Sequence, residues 1–468
     1  MRLSTASLAR LPADIERPTY DLDRVHRGVV HFGPGAFHRA HQADAFDRLL
    51  NEDPRWGIVG VSLNSSTLAE ALTPQQFLYT LALRDSETRL RVIGSIRDVH
   101  TKSEPKAIQA SLASPTTRVI SATVTEKGYT LDEHGMLDFQ HPAIRHDLEK
   151  KGAPQSLVGW LVAGLGARRR ARVQGVTVLS CDNLAGNGTK LRAATLSLAA
   201  EVDPETARWI ADEVRFPNSM VDSITPATDE ILRKQIAAAL HVEDAWPVQR
   251  EPFTQWVIED DFAGERPGLE VAGVAFTDDV HPFEAAKLRL LNGAHSTLAY
   301  VGLALGHETV AGAMRDARLA DFVGKLMRED IAPSLKSPPG LLLDDYIDAV
   351  LARFANPAIK HNLAQIAWDG SQKLPQRLLG TIRDALRQGR SLERLAVPIA
   401  AWLKFLQRAA ARNEAITDPL GPRLLALSGD WRAIITTKDV FGELGGVLPF
   451  VDAVAAAMEK DITALLES

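Results

Sequence analysis

The segment Glu284-Ala285-Ala286-Lys287-Leu288-Arg289-Leu290-Leu291-Asn292-Gly293-Ala294-His295-Ser296 sets three different polar groups among leucines. On a regular helix Lys287, Asn292 and His295 fall at about 0°, 140° and 80°, on one arc. A solvated face with one core histidine is the ordinary reading of such a stretch. Such faces usually carry Glu and Lys, however, rather than three unlike hydrogen-bonding groups beside a glycine. Gly293 lets another group approach the backbone, at a cost of about 1 kcal/mol in helix propensity. A lysine whose pKa is pulled toward neutrality can take the proton of an alcohol while hydride leaves its carbon. A neutral donor such as Asn292 can stabilise the developing alkoxide without adding competing positive charge. Asn183, in Ser180-Cys181-Asp182-Asn183-Leu184, follows an apolar run and is either a second such donor or a turn residue.

Departing hydride needs an acceptor. The run Val29-Val30-His31-Phe32-Gly33-Pro34-Gly35-Ala36-Phe37-His38-Arg39-Ala40-His41 reads as a strand, a glycine turn and a helix start. Gly33 permits the tight turn. Gly35 lets the backbone approach a pyrophosphate where free N–H groups and the helix dipole favour an anion. His38 occupies the place of the third glycine in G-x-G-x-x-G. His38, Arg39 and His41 are either a polar helix face or, for Arg39, a phosphate contact. The acid that usually grips the adenosine ribose should end the second strand. Here that strand ends Val61-Ser62-Leu63-Asn64-Ser65-Ser66-Thr67, without acid or arginine. Asn64 or a serine can bond a ribose hydroxyl, and nothing nearby welcomes a 2′-phosphate. NAD is the expected coenzyme, with NADP as the alternative.

The elements that must carry these groups divide the chain. Strand patterns at residues 28–32, 57–63, 90–93, 119–125 and 175–180 are short and apolar, as in a buried parallel sheet, with a further strand-like stretch at 271–276. After about Glu284 helical periodicity dominates, at 307–326, 343–354, 377–388, 392–406 and 450–466. The expectation is an α/β domain over residues 1–284 and a helical, substrate-binding domain over 285–468. The 468 residues are 45% hydrophobic and 24% charged with a net charge of −6, so no basic footprint invites nucleic acid. One cysteine, Cys181, cannot make an intrachain disulfide or a zinc cluster. The apolar stretch 157–167 is too short to span a bilayer, and the opening residues lack a secretory core. A cytoplasmic protein without membrane or nucleic-acid partners is expected, as a monomer or small homo-oligomer.

Several blocks together make the chain recognisable. They are Phe32-Gly33-x-Gly35-Ala36-Phe37-His38-Arg39-Ala40-His41-Gln42, Thr125-Glu126-Lys127-Gly128-Tyr129, Ser180-Cys181-Asp182-Asn183, Phe216-Pro217-Asn218-Ser219-Met220-Val221-Asp222, Glu251-Pro252-Phe253-x-Gln255-Trp256, the lysine segment, and Asp369-Gly370-Ser371-Gln372-Lys373. In this order they closely resemble the long-chain mannitol dehydrogenase family over nearly the whole chain. The resemblance implies a Rossmann-type N-terminal domain, a mostly α-helical C-terminal domain and a substrate cleft between them. It implies interconversion of polyols or aldonates with ketoses or keto acids, using NAD(P) and no metal. Lys287 is then the general base, and Asn183 and Asn292 hold the reacting oxygen. His295, Asp222 and Lys373 contact substrate hydroxyls, and Glu284 helps exchange the lysine's proton with water. Phe32, Gly33, Gly35, Ala36, Phe37, Arg39, Asn64, Thr125 and Glu126 are the expected coenzyme contacts.

Three departures bear on the substrate. Gln365 stands where mannitol-type members carry a substrate-contacting Arg, Ser223 replaces an Arg after the Val-Asp pair, and the acidic ribose residue is missing. The stretch from Gln365 to Arg377 looks more like the mannonate oxidoreductase (fructuronate reductase) branch, with Arg289 or Arg377 as sources of the positive charge a sugar acid needs. D-mannonate/D-fructuronate is the leading pair, with D-mannitol/D-fructose or another polyol such as arabinitol as alternatives. A short-chain dehydrogenase is ruled out, since none of the five tyrosines has Lys four residues on. A zinc alcohol dehydrogenase lacks a ligand set. A non-catalytic dinucleotide sensor would keep the glycine turn but have no need of Lys287 with two asparagines.

Overall fold

Gly28 and Gly57 open two nearly continuous apolar runs, and both runs form strands buried on both faces. In the computed structural model, which describes residues 1–149, 152–359 and 361–466, the chain divides into two units, Met1–His281 and Pro282–Ser468. The division lies within the helix His281–Ala286, slightly ahead of the expected Glu284.

The first unit is built on a five-stranded parallel sheet in the order Ile96–Thr101, Gly57–Ser62, Arg27–Phe32, Val119–Ala122, Thr177–Ser180. Chain order reverses direction beside Arg27–Phe32, which places a crevice at the carboxyl ends of the strands. Phe32 lies opposite both Val61 and Ala122, so the glycine turn and the residues after the second and fourth strands leave the sheet at one edge. Val29 and Ile58 enter one apolar core, while Val30, Phe32 and Val61 enter the core on the other face. Helices Leu157–Arg170 and Asn187–Val202 supply much of the second core.

Two strand expectations need correction. Residues 90–93 do form a strand, Arg89–Ile93, but it runs antiparallel to Tyr79–Leu83 in a separate three-stranded sheet. The fifth Rossmann strand is Ile96–Thr101, an edge strand whose Arg97 and Asp98 are only half-buried and hide the apolar signal. Around residues 271–276, Leu269–Ala272 is a 3₁₀ turn and the strand is Ala275–Thr277, paired with Gln255–Glu259, which also holds Ser219–Asp222.

The second unit is helical. The expected helix at 307–326 is broken into Val310–Met314 and Ala317–Lys325, because Asp316 accepts the N–H of Arg318 at 3.0 Å and caps a new start. Three π-helical turns, Lys287–Asn292, Leu326–Ile331 and Pro375–Leu379, interrupt the α-helices.

In the first unit a Cβ on Gly188 would overlap the carbonyl oxygens of Phe216 and Pro217, so the first turn of Asn187–Val202 is pressed against backbone. Gly188→Ala is expected to destabilise the first unit by about 1–3 kcal/mol, the usual cost of overpacking, read as a lower urea midpoint at unchanged slope.

Candidate active site

The crevice of the first unit is a cavity of about 710 Å³. Phe32, Gly33, Gly35, Ala36, Arg39, Asn64 and Thr125 line it, as do Leu63, Lys127, Arg233 and Trp246. Gly33 has φ +81°, and a Cβ there would overlap the carbonyl of Thr123. At Gly35 a Cβ would find its nearest neighbour at 3.8 Å, so the backbone lies open to a ligand. The first intrahelical bond is donated by Arg39 to the Gly35 carbonyl at 3.1 Å, leaving the N–H groups of Ala36, Phe37 and His38 before it. Open backbone beside unspent N–H groups fits a dinucleotide diphosphate.

Buried imidazoles hold that turn. His31 and His38 stack with centroids 3.5 Å apart. Thr123 Oγ1 donates to the Gly33 carbonyl at 2.7 Å and therefore accepts from His31 Nε2 at 2.9 Å. The Ser121 hydroxyl then donates to His31 Nδ1 at 2.8 Å. Burial pushes His31 down to about 3 and His38 well below the ordinary histidine value, so both rings are neutral.

Arg39 lines the cavity and is also braced within the unit. Its guanidinium, 1% exposed, donates to the Trp246 carbonyl at 2.6 Å and lies over the Tyr79 ring at 5.3 Å. Through that bond it ties the helix to the rest of the unit. Phe37 and Glu126 lie off the cavity wall: Phe37 stacks on His41, and Glu126 is exposed.

The far wall depends on one carboxylate. Asp182 accepts the N–H groups of Val124 at 3.1 Å and Thr125 at 2.8 Å, and the Tyr129 hydroxyl at 2.9 Å. Thr125 has φ +67°, ψ 165°, a conformation otherwise left to glycine and costing about 1–3 kcal/mol. Two backbone N–H groups aimed at one buried acid offset that strain. In the sequence Asp182 stands out only as the neighbour of Asn183. Beside it, Asn187 donates to the carbonyls of Asp182 at 3.0 Å and Ser219 at 2.8 Å, and accepts from the Ser219 N–H at 3.0 Å. This one side chain fixes the loop carrying Asn183 against the strand Ser219–Asp222, where Asp222 is buried. Glu259, Asp279 and His281 bring their ligand atoms within 4.8 Å of one another, but two of the three are exposed.

In the second unit the lysine segment departs from the regular helix assumed for it. From Lys287 to Asn292 it is a π-helical turn, and Gly293 donates back to Leu288. Bonds from i to i+5 take one more residue into the turn. Lys287 and Asn292, five apart, are thereby brought toward the same face instead of lying 140° apart as on a regular helix. A Cβ on Gly293 would lie 3.0 Å from the carbonyl of Arg377, so Gly293 admits the turn Pro375–Leu379 to close approach. Glu284, Lys287 and Asn292 are half-buried.

His295 is 8% exposed, stacks on Phe354 at 4.9 Å and meets His361 edge-on at 4.5 Å. Its Nε2 has no hydrogen-bond partner among the described residues. Burial, then the charges of His361, Arg377, Arg353 and Lys373, hold its pKa well below the ordinary value. Lys373 belongs to a braced block. Asp369 has φ +56°, Asp418 accepts the Ser371 N–H at 2.8 Å and its hydroxyl at 2.6 Å, and Lys373 donates to the Ile366 carbonyl at 3.3 Å. Arg289 is drawn away, ion-paired with Asp384 and bonded to the Ser334 hydroxyl at 3.1 Å, and Gln365 is exposed.

Family models for the mannitol dehydrogenase Rossmann domain and C-terminal domain match residues 27–271 and 279–461. The chain belongs to the mannitol dehydrogenase family. It is an oxidoreductase of that family, with the family's Rossmann-like and helical domains. It is 41% identical to the D-mannonate oxidoreductase of Escherichia coli over 464 residues, 95% of each chain. A D-sorbitol dehydrogenase in substrate-free form superposes with a TM-score of 0.94 at 34% identity, covering all of both chains. The mannitol 2-dehydrogenase of Pseudomonas fluorescens, in ternary complex with NAD and D-mannitol, has a TM-score of 0.84 at 37% identity over 100% of this chain and 99% of that one.

Asp182→Ala in this family member removes the acceptor of two backbone N–H groups. Stability is expected to fall by about 2–3 kcal/mol in urea unfolding, and dinucleotide affinity to fall with it as Thr125 relaxes. Unchanged affinity in a folded variant would show that Thr125 does not shape the groove.

Proposed function

We propose that this protein reversibly oxidises a secondary alcohol of a sugar acid or polyol to the ketone with NAD, and that D-mannonate/D-fructuronate is its leading pair. The observation carrying the reaction is the π turn that brings Lys287 and Asn292 to one face. Identity of 41% with a D-mannonate oxidoreductase supports the substrate pair. The D-mannitol/D-fructose reading keeps support from the structural likeness to a mannitol 2-dehydrogenase, but Gln365 replaces the Arg of that type.

The turn at Gly33 and Gly35 holds the coenzyme's diphosphate, and Asn64 bonds its adenosine ribose. NAD, when bound, takes up the hydride. Lys287 removes the hydroxyl proton as general base, and Glu284 helps pass that proton to water. Asn292 and Asn183 hold the oxygen as it gains negative charge; being neutral, they leave the base uncontested. His295 and Lys373 contact further substrate oxygens, with Asp222 given the same duty. His295 meets them as a neutral imidazole, because its surroundings keep the proton off. The orphaned Nε2 is the atom a substrate hydroxyl would satisfy.

Lys287→Ala is expected to lower turnover by about two to four orders of magnitude while NADH affinity, by fluorescence titration, stays put. Near-native turnover would remove Lys287 from the mechanism. Coenzyme choice gives a second check. Asn64 supplies a neutral hydrogen bond of about 1 kcal/mol, so NAD is expected to be preferred over NADP by less than roughly tenfold in kcat/KM. Arg84 and Arg97, basic residues able to reverse this, lie off the cavity wall. Ser66→Asp should sharpen the preference, and a strong NADP preference in the native protein would overturn the assignment of Asn64.

A further inference from the structure

Arg377 carries a charge that the described residues leave uncompensated. It stands in the π turn Pro375–Leu379, half-buried, and its one hydrogen bond among the described residues goes from Nη1 to the Ser296 hydroxyl at 3.1 Å. No carboxylate among the described residues lies within ion-pair reach of it. Lys373, one helical turn earlier, is in the same position, donating only to the Ile366 carbonyl. The nearest acids are spoken for: Asp418 is turned toward the Ser371 hydroxyl and the N–H groups of Ser371 and Leu420, and Asp369 begins the helix Gly370–Leu374. Arg289, by contrast, is neutralised by Asp384. Two half-buried cations side by side, next to a buried histidine with an orphaned Nε2, form a costly arrangement unless an anion completes it.

We infer that Arg377, with Lys373, receives the carboxylate of a sugar-acid substrate, and so selects acids over neutral polyols. The inference rests on the proposed oxidoreductase reading and names the group that reading leaves open. A guanidinium presents a planar fork that matches a carboxylate, and a hydroxymethyl group offers it no charge. In D-fructuronate the carboxylate is at the opposite end of the carbon chain from the reacting ketone. It can therefore be gripped away from Lys287 without competing for the base. Arg377 replaces, from a position twelve residues further along, the charge missing at Gln365.

The test compares D-fructuronate and D-fructose as substrates for NADH oxidation by the native protein, Arg377→Gln and Arg377→Lys. Where fructose turnover is slow, inhibition constants of D-mannonate and D-mannitol supply the same comparison. The Gln variant is expected to lose about 10- to 100-fold in kcat/KM on the acid, to stay within about threefold on the neutral substrate, and to bind NADH normally. The Lys variant should recover part of the loss, because it keeps the charge and loses the fork. Equal losses on both substrates, or none on the acid, would overturn the role of Arg377 while leaving the oxidoreductase reading intact. A native protein that reduces fructose but no keto acid would instead overturn the sugar-acid reading itself, and the inference with it.

Discussion

The grip of the Asp182 carboxylate on two consecutive backbone N–H groups is the constraint on which the first unit's functional edge depends. A threonine is held where glycine belongs, which happens only when its surroundings over-determine it. The same acid takes the Tyr129 hydroxyl, and its own carbonyl is held by Asn187, which also bonds both the carbonyl and the N–H of Ser219. Strand ends far apart in sequence are thus tied through two side chains. The cavity wall, the loop of Asn183 and the strand of Asp222 share one hydrogen-bonded frame, so precision in one carries to the others.

The second unit solves a different problem. Its helices are apolar on most sides, yet several cations must face one place. The unit does this by interrupting regular helix: π turns hold Lys287, Asn292 and Arg377, and a left-handed residue at Asp369 starts the short helix of Lys373. Close approach at Gly293 lets two of these irregular turns pack against one another. Charge is then distributed unevenly: Arg289 is quenched by Asp384, whereas Arg377 and Lys373 are left to act on His295.

What could be read from residues alone follows from range. The strands found at 28–32, 57–62, 119–122 and 177–180 are legible because both faces are buried and their few polar residues, His31 and Ser121 among them, are uncharged. Ile96–Thr101 is not, since an edge strand carries Arg97 and Asp98 on a partly wet surface. The glycine turn was legible because its backbone demands are local. Asp182 was not, because its partners lie 57 and 58 residues away and no spacing records them. Arg39 lines the cavity, as its place beside the glycine turn suggests, but only tertiary structure reveals the Trp246 carbonyl that takes its hydrogen bond. Lys287, Asn292 and His295 stand out in the sequence by their residue types, although from Lys287 to Asn292 the segment is not the regular helix its spacing suggests.

The π turn at Lys287–Asn292 also bears on how this segment tolerates change in length. Such a turn is a helix that has absorbed one surplus residue while keeping its backbone bonded. Losing one residue between Lys287 and Asn292 would let the segment relax into an unbroken α-helix, with little loss of hydrogen bonding. Because the wide turn takes up that residue locally, His295 and the rest of Gly293–Ala304 would keep nearly their present facing relative to Lys287. A single deletion here would therefore leave both the helix and the facing of the residues beyond it largely intact, and would remove only the wide turn itself. The surplus residue is thus confined to the one turn that carries Lys287 and Asn292.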